Sequence, residues 1–382
     1  MRRYIYIFGA LCATAALALC ACGTGEHADT AAPPGYTDVR NVLQRLTTID
    51  GAPGALLDVS DTHGRTVLTS GVANIGTLAP MAGDSRFRIG SMTKMFVSTV
   101  VLQLVGEQRV ALDAAVEQYL PGTIRGNGND GHGITVRQLL QHTSGLPDYL
   151  DSLTPEQILK DSLGHHDPLE LVQLALAHPP LFPPGTGWSY SNTNYLLAGM
   201  LIEKVTGRPY GEAVEQRIIA PLGLHDTSVP GDAPTIPGDH PRGYAKQGNA
   251  DPLDLTEFNP SIAGSAGSMI SSATDLNHFL TALMTGHLLP PPELQAMMTT
   301  RPTGDSSDDA YGLGLQSTPL PCGGLYWGHD GGIMGFQTLG ATTTDGRTAT
   351  MMINLYPGET PAQDADIRTA LATALCETET SK

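Results

Sequence analysis

Residues 87–94 read FRIGSMTK and place a serine just before an apolar run, with a lysine one helical turn further on. Residues 92–105 are almost entirely apolar and Gly106 follows them, which predicts a helix buried on most sides. Side chains three residues apart on a helix are neighbours, so the Lys94 amine can reach the Ser91 hydroxyl. Because burial lowers the pKa of a lysine, this pair predicts a nucleophile and its general base.

A plainer interpretation makes Ser91 a helix cap and Lys94 a solvent-exposed residue, because a serine and a lysine at this spacing form a weak motif. Two observations favour the catalytic interpretation. Lys94 is the only one of the five lysines with a serine three residues before it. It also interrupts a run too apolar to form a solvated face.

The first residues predict a secreted protein. Arginines at positions 2 and 3 precede an apolar stretch up to residue 21, which is typical of a signal peptide at 1–21. The sequence LCAC at 19–22 resembles the lipobox of bacterial lipoproteins, which implies cleavage before Cys22 and lipidation of that cysteine. Residues 22–36 are small and polar, as expected of a flexible tether. We expect an extracytoplasmic protein, anchored by lipid to a bacterial membrane; ordinary secretion with cleavage elsewhere is the alternative.

Cysteine content and charge restrict the redox state and the partners. Three of the five cysteines belong to the leader, and the other two, Cys322 and Cys376, predict one disulfide in an oxidising compartment. The formal net charge is -17 at pH 7, and it becomes -19 when the two leader arginines are removed. Such an acidic body makes nucleic acid and anionic lipid poor partners, so the lipid anchor is the only expected membrane contact.

The order of predicted elements indicates an α/β domain interrupted by an all-α insertion. Residues 55–69 predict a hairpin, and helical periodicity follows from about 135 to 220. Further strands and a final helix are predicted after the insertion, at 325–328, 336–341, 348–354 and 364–375. We therefore predict a catalytic α/β domain at 37–108 and 265–382, and a helical insertion domain at 109–264. A cleft between two such domains is a favoured ligand site.

Two more motifs carry polar groups suited to catalysis. Tyr190-Ser191-Asn192 precedes a predicted helix, and His329-Asp330-Gly331-Gly332 lies in a segment that reads as a strand edge, where backbone N–H groups are available. Taken singly, each motif has a structural explanation. The tyrosine is then a core aromatic with the asparagine as a helix cap, and the histidine is a hydrogen-bonded structural residue.

Together the motifs S-x-x-K, Y-x-N and H-x-G, in this order, resemble the penicillin-binding serine hydrolases, which include class C β-lactamases and soluble D-alanyl-D-alanine carboxypeptidases. The resemblance covers nearly all of the mature chain, including FRIGSMTK, TVRQLLQHTSGL, PPGTGWSYSNTNYLLAGMLIEKVTG, SAGSMISSATDL, YGLGL and GHDGG. It implies a β-lactamase/transpeptidase-like fold: a mainly antiparallel sheet flanked by terminal helices, a helical domain, and an active site in the cleft between them. The carboxypeptidase branch resembles this chain most, because it has histidine in the third motif and a C-terminal disulfide that matches the two cysteines.

The resemblance implies a role for each motif residue. Ser91 would attack a carbonyl carbon to form an acyl-enzyme, and Lys94 and Tyr190 would move its proton. Backbone N–H groups of Ser91 and Gly332 would form the oxyanion hole, where one donor is typically worth roughly 3 to 4 kcal/mol. Asn192 would hold the substrate amide. No cofactor is implied.

The third motif departs from the carboxypeptidase pattern. His329 would supply positive or hydrogen-bonding character beside the catalytic tyrosine. An arginine and threonine hydroxyls bind the terminal carboxylate of the substrate in the carboxypeptidases, whereas this chain has Gln316, Asp330 and Gly332 at those places and Gly331 between the last two. A neutral amide, an acid and a hydrogen cannot replace that carboxylate clamp, so the substrate-binding role of these residues is altered.

The chemistry is therefore better determined than the substrate. We expect a serine acyl hydrolase, most similar to the D-alanyl-D-alanine carboxypeptidases that act on cell-wall peptides. Esterase, amidase or β-lactamase activity on the same scaffold is one alternative, and a lipoprotein that binds penicillin or wall peptide without hydrolysis is another. In each case the partner is a small peptide, ester or β-lactam molecule, and the sequence does not determine the oligomeric state.

Two unrelated site types are only weakly indicated. Residues 263–267 read AGSAG, which lacks the first glycine of a nucleophile elbow and a strand-turn-helix context. The sequence His165-His166-Asp167 lacks the H-E-x-x-H pattern of zinc proteases, so no metal site is expected.

Overall fold

The computed structural model describes residues 36–61, 64–246, 251–304, 309–358 and 360–377. The predicted signal peptide, the lipidation site at Cys22 and nearly all of the tether lie outside these residues. Strands of the described residues have the following bounds: β1 (Gly54–Asp61), β2 (Gly64–Asn74), β3 (Ala79–Pro80), β4 (Arg86–Arg88), β5 (Arg125–Gly126), β6 (Asn129–Asp130), β7 (Tyr244–Ala245), β8 (Leu253–Asp254), β9 (Ile270–Ser272), β10 (Arg301–Pro302), β11 (Ala310–Tyr311), β12 (Gln316–Pro319), β13 (Leu325–Ile333), β14 (Phe336–Thr343) and β15 (Thr348–Ile353).

Helices lie before, between and after the strands. Their bounds are α1 (Thr37–Thr48), α2 (Thr93–Gly106), α3 (Val136–Leu140), α4 (Pro155–Lys160), α5 (Pro168–Leu176), α6 (Asn192–Thr206), α7 (Tyr210–Val214), α8 (Ala220–Leu222), α9 (Gly264–Gly267), α10 (Ala273–Met284), α11 (Pro291–Met297) and α12 (Pro361–Cys376). A 3-10 turn, Gly90–Met92, leads directly into α2. Among the residues with described structure, no helix combines the length and the apolar character needed to cross a bilayer.

The main sheet has nine antiparallel strands in the order β10-β11-β12-β13-β14-β15-β1-β2-β3. The first strand of the chain therefore pairs with the last, with Ala55 opposite Ile353. Alternation along the central strands sends Leu57 and Met351 into one hydrophobic cluster and Leu56 and Met352 into another. The sheet is thus buried on both faces.

Different helices cover the two faces. Helices α1 and α12 pack on one face and on each other, and Arg45 of α1 pairs with Asp366 of α12 at 2.9 Å. Helix α10 covers the other face, where its Phe279 ring stacks on Phe96 of α2 with centroids 3.8 Å apart. The predicted antiparallel sheet flanked by terminal helices is confirmed.

The main errors of the sequence prediction concern strand lengths. The strand predicted at 325–328 is longer in the structure, where β13 continues through the segment that reads as a strand edge to Ile333. The glycine at residue 331 allows this segment a close contact, since a β carbon there would collide with the carbonyl oxygen of Ile89. Helix α10 begins at Ala273, since the residues directly before it form β9. The short strands β10 to β12 lack an alternating pattern and were not predicted.

The predicted boundaries between the α/β domain and the helical insertion domain, after residues 108 and 264, stay a prediction. In the structure, one hydrophobic core runs from Phe96 and Phe279 beside the sheet to Leu139, Val172 and Leu197 in the helical region. The described residues belong to a single compact unit. The helical region and the sheet therefore share their packing.

Candidate active site

A serine and a lysine meet at the start of α2. The 3-10 turn presents Ser91, and Lys94 lies one turn further on, with its Nζ 3.0 Å from the Ser91 Oγ. The Lys94 side chain is 0% exposed, because α2 is covered on nearly all sides. The interpretation of Lys94 as a solvent-exposed residue is therefore wrong.

Two further acceptors orient the Lys94 amine. Its Nζ lies 2.7 Å from the carbonyl oxygen of Ala266 and 2.8 Å from Oδ1 of Asn192. The Asn192 amide is fixed in this orientation, because its Nδ2 donates to Oδ2 of Asp148 over 2.7 Å. A neutral amine has two N–H donors, which these acceptors use, so its lone pair faces the Ser91 hydroxyl.

The charge state of Lys94 suits a general base. Burial lowers the pKa of Lys94 to about 7, although the carboxylates of Asp148 and Asp330 act in the opposite direction. At neutral pH a large share of the amine is therefore unprotonated. It can then accept the proton of Ser91 as that hydroxyl attacks a carbonyl carbon.

Tyr190 is the third proton-carrying group beside the serine. The Lys94 Nζ lies 4.8 Å from the centroid of its ring. Burial raises the pKa of Tyr190 well above its ordinary value, and a hydrogen bond with Ser91 offsets only part of this. Tyr190 is consequently a phenol at neutral pH, suited to relaying a proton between groups that it contacts.

Strand β13 brings a second backbone segment to the serine. Strand β12 pairs with β13 only as far as Gly328, and beyond that point β13 contacts the turn that carries Ser91. The contact is close, since a β carbon on Gly331 would collide with the carbonyl oxygen of Ile89. This approach makes the backbone N–H groups of Ser91 and Gly332 candidates for an oxyanion hole.

His329 lies behind the cleft. It is buried, its Nε2 is 2.8 Å from the Tyr311 hydroxyl, and its Nδ1 is 2.6 Å from the backbone oxygen of Asp330. The centroid of its ring is 6.3 Å from that of Tyr190. Any effect of His329 on Tyr190 is therefore indirect.

Asp330 presents a carboxylate at the edge of the cleft, with its side chain 47% exposed. Its Oδ1 accepts from Nε2 of Gln316 over 3.3 Å, and Nη2 of Arg368 lies 3.6 Å from its Oδ2. Burial raises the pKa of Asp330, but the nearby His329 and Arg368 outweigh it, so the pKa lies well below its ordinary value. Arg368 also faces Asp309 at 3.6 Å, so one guanidinium is shared by two carboxylates.

A cavity of about 400 Å³ opens beside Ser91. Its polar wall includes Tyr190, Asn192 and Asp330. Much of the remaining wall is apolar and consists of Leu150, Ile158, Phe258, Ile262, Ala263, Ile333 and Met334. The cavity can hold a small molecule with an apolar side chain next to the reactive serine.

Sequence reasoning missed several contributors to this site. Asp148 and Ala266 reach Asn192 and Lys94 from distant parts of the chain, and Arg368 comes from the C-terminal helix. The stretches TVRQLLQHTSGL and YGLGL supported the resemblance, but no role was assigned to any residue within them. The structure places His142 and Tyr311 of these stretches beside Tyr190.

The two weakly indicated site types find no support. Ser265, the serine of the AGSAG segment, is buried and donates to the carbonyl oxygen of Tyr195 over 2.8 Å, so it is not presented as a nucleophile. Within the described ranges, no group of three or more histidine, cysteine, aspartate or glutamate side chains could hold a metal ion. Cys322 and Cys376 form a disulfide that ties α12 to the loop before β13.

Comparison with known proteins relates this geometry to a family. Residues 39–374 match the family model described as Beta-lactamase. A crystal structure of a D-stereospecific amidohydrolase from Streptomyces sp. is 42% identical, with a TM-score of 0.82 and coverage of 88% of this chain and 98% of that chain. The D-amino acid amidase of Ochrobactrum anthropi SV3, in complex with L-phenylalanine amide, is 29% identical, with a TM-score of 0.78 and coverage of 88% and 96%.

A curated relative is a penicillin-binding protein. Penicillin-binding protein 4 of Amycolatopsis lactamdurans is 29% identical over 244 residues, which cover 61% of this chain and 60% of that protein. The matched part of this chain thus spans less than two thirds of that relative's length.

Proposed function

Because the chain belongs to the beta-lactamase family of serine hydrolases, we propose that it cleaves amide bonds in small D-amino acid derivatives whose leaving group carries no carboxylate. The two solved relatives whose names specify D-stereospecific amidohydrolase or D-amino acid amidase activity cover nearly the whole folded part of this chain. Their names support an amide substrate with D configuration.

The residues at the site can carry both halves of the reaction. Ser91 Oγ attacks the amide carbon while Lys94 accepts its proton, and the Ser91 and Gly332 N–H groups stabilise the oxyanion. The C–N bond then breaks as Tyr190 donates its phenolic proton to the leaving amine and takes the serine proton from Lys94, so that both side chains regain their starting forms. Water attacks the resulting ester and gives one proton to Lys94. The C–O bond then breaks as that proton is returned to Ser91 Oγ through Tyr190, which releases a carboxylic acid and restores the Ser91 hydroxyl.

The single observation that carries the substrate proposal is the carboxylate of Asp330 in the cavity wall. A substrate with a terminal carboxylate would meet a like charge there, which disfavours binding. The Arg368 guanidinium is already engaged by Asp330 and Asp309 and does not replace a carboxylate clamp. A neutral amide lacks this repulsion, and Gln316 beside Asp330 offers an amide of its own.

The apolar wall indicates the side chain that the substrate carries. Phe258, Ile262 and Met334 line the cavity together with the ring of Tyr149. Burying an apolar side chain against them contributes roughly 1.5 to 3 kcal/mol. We therefore expect aromatic or large aliphatic D-amino acid amides to be better substrates than D-alanine amide.

A substrate panel tests this proposal against its alternatives. The panel contains D-phenylalanine amide, L-phenylalanine amide, a D-Ala-D-Ala peptide, a p-nitrophenyl ester and a chromogenic cephalosporin. We expect the D-amide to be hydrolysed in preference to the L-amide and the D-Ala-D-Ala peptide. Fast hydrolysis of the peptide would instead support the D-alanyl-D-alanine carboxypeptidase alternative. A stable adduct without turnover of any member would support a penicillin-binding lipoprotein.

An Asp330 variant makes the panel more specific. In Asp330→Asn the like charge is removed, so turnover of the D-Ala-D-Ala peptide should rise relative to that of the D-amide. Asp113→Asn is the matched control, because Asp113 forms an exposed pair with Arg137. The proposed role of Asp330 would be refuted by an unchanged ratio between the two substrates.

We also propose that the leader anchors the protein to a bacterial membrane through lipid on Cys22. The leader sequence at 19–22 supports this proposal. Cys22→Ala should move the protein from the membrane fraction to the soluble fraction and abolish labelling with a palmitate analogue.

A further inference from the structure

His142 has an unusual backbone conformation directly beside the Tyr190 ring. It directly follows Gln141, the C-cap residue of α3, at a position that glycine most often occupies when a helix ends. Its φ is 57°. A residue with a β carbon adopts this left-handed conformation at a cost of roughly 1 to 2 kcal/mol. Side chains retained at such positions frequently serve a functional site.

The imidazole of His142 is packed among aromatic rings. It is buried and stacks on the Tyr190 ring, with centroids 4.3 Å apart and planes 29° from parallel. Tyr195, Tyr311 and Trp188 surround it, with centroids at 5.3, 4.8 and 6.1 Å. A change in the orientation of this imidazole would therefore move the phenol of Tyr190.

The hydrogen bonds determine which nitrogen of His142 carries the proton. The backbone N–H of Ser191 donates to Nδ1 over 3.1 Å, and the Asn194 amide nitrogen approaches the same atom at 3.1 Å. The Asn194 amide is oriented with nitrogen toward the ring, because its oxygen accepts from Ser144 Oγ at 2.6 Å. Nδ1 is consequently an acceptor, so the proton of neutral His142 is on Nε2 and points at the Tyr311 oxygen 3.2 Å away.

The same hydrogen-bond reasoning applies to Tyr311 and to His329, the histidine of the third motif. Since the Tyr311 oxygen accepts from His142, its own proton is available for Nε2 of His329, 2.8 Å away. The proton of His329 is then on Nδ1, which lies 2.6 Å from the backbone oxygen of Asp330. In this arrangement each donor in the chain meets an acceptor.

We propose that His142 is a positioning residue for catalysis: it holds the Tyr190 ring by stacking and, through the Tyr311 hydroxyl, orients His329 with Nε2 toward Tyr311 and Nδ1–H toward the backbone oxygen of Asp330. The orientations of the Tyr190 phenol and of the His329 ring are then set by one buried network.

The surroundings of His142 favour its neutral form. The groups that face it are Lys94, Tyr190, Tyr195, Tyr311 and, through Tyr311, His329, and Asp330 faces His329 with its Oδ1 3.4 Å from Nδ1. Burial and, to a lesser extent, the nearby Lys94 lower the pKa of His142 well below its ordinary value. The Tyr195 hydroxyl donates to the carbonyl oxygen of Leu140 over 2.8 Å.

Nitrogen NMR of the wild-type protein tests the protonation states directly. In full-length protein labelled with ¹⁵N-histidine, long-range proton–nitrogen correlations identify the protonated nitrogen of each ring. We expect His142 with its proton on Nε2 and no titration of its ring from about pH 5.5 to about pH 9, and His329 with a proton on Nδ1. A proton on Nδ1 of His142, or a His329 ring without a proton on Nδ1, would overturn the proposal. This measurement does not depend on which substrate the enzyme hydrolyses.

Tyr311→Phe tests the connection between the two rings. It keeps the aromatic packing and removes only the hydroxyl, so we expect kcat to fall about 10- to 100-fold while KM changes little. The His329 resonances should shift in this variant. Tyr244→Phe is the matched control, because Tyr244 is similarly buried and its hydroxyl accepts from the backbone N–H of Ile75. Unchanged kcat and unchanged His329 resonances in Tyr311→Phe would refute the proposed connection. Equal loss of activity in Tyr311→Phe and Tyr244→Phe would indicate a general packing defect, which also counts against the connection.

Discussion

A β carbon built on Gly90 would lie 2.8 Å from the backbone nitrogen of Gly332 and 2.9 Å from its oxygen. Gly90 also has a φ of 53°, in the left-handed region where side chains are disfavoured. The two segments that carry the candidate oxyanion N–H groups therefore touch through backbone atoms. Their spacing depends on the absence of a side chain at residue 90.

Gly90→Ala should separate these two segments. Displacing one oxyanion donor typically costs about 10²- to 10³-fold in kcat, and we expect a loss of at least this size. Gly332→Ala is the informative comparison, because the three atoms nearest to its β carbon would all belong to the Tyr356 side chain, which is partly exposed and can rotate away. Steady-state kinetics should show a larger loss of kcat in Gly90→Ala than in Gly332→Ala. Equal losses in the two variants would contradict the proposed role of the Gly90 contact.

Ser91 should carry the acyl group. A fluorescent penicillin or a slowly released D-amino acid ester is expected to label the wild type on Ser91, as located by peptide mass spectrometry. Ser91→Ala should show no label, while Ser70→Ala should label normally, because Ser70 lies on β2 and hydrogen-bonds Thr47. Equal labelling of Ser91→Ala would exclude Ser91 as the nucleophile.

The activity should rise with pH through about 7, because Lys94 must lose its proton before it can accept one from Ser91. A plot of kcat/KM against pH checks this. The charge on Asp330 raises the pKa of Lys94, so Asp330→Asn should move the rising limb to lower pH. A limb that stays in place, or moves to higher pH, would contradict the assignment to Lys94.

The same lysine should make stability depend on pH. In the folded protein Lys94 loses its proton near pH 7, whereas in the unfolded chain it keeps the proton up to its ordinary pKa of 10.5. Between these values the unfolded state binds more protons, so the free energy of unfolding rises with pH by at most about 1.4 kcal/mol per pH unit.

Lys94→Met removes this contribution and keeps an apolar side chain of similar length. Urea unfolding at about pH 7, 8 and 9 measures the free energy of unfolding of both proteins. The difference between the wild type and the variant should therefore shift in favour of the wild type as pH rises. Parallel pH dependences for the two proteins would show that Lys94 is not neutral in the folded state.

The disulfide between Cys322 and Cys376 should stabilise the C-terminal helix on the sheet. The two cysteines are 54 residues apart, so the chain-entropy model gives a contribution of roughly 4 kcal/mol. A double serine variant should unfold at correspondingly lower urea concentration. Reducing agent should reproduce this shift in the wild type and leave the variant unchanged; a reducing-agent effect of equal size in both would contradict it.

The sequence allowed prediction of those parts of the site that depend on short-range geometry. Ser91 and Lys94 are neighbours because residues three apart on a helix always are, and their apolar surroundings predicted the burial of the amine. The catalytic roles of Tyr190 and Asn192 were predicted only from the family resemblance, which rests on the order of the three motifs. The long central strands and α12 were predictable because their apolar patterns are continuous.

Other parts have no local signature. The carbonyl oxygen of Ala266 binds Lys94 through the backbone, which every residue type possesses. Arg368 reaches Asp330 only because α12 packs on the sheet, and its position in the sequence gives no indication of this contact. His329 reads as a positively charged candidate in sequence, whereas its hydrogen bonds assign it a place behind the cleft.

The pairing of β1 with β15 affects how the chain folds. These strands lie side by side in the middle of the sheet, although nearly the whole described sequence separates them. Pairing over such a separation must overcome a large loop-closure entropy and is typical of slow-folding topologies. Without β15, β1 has an open edge, so truncation of the chain before β15 would expose a central strand to pairing with other chains.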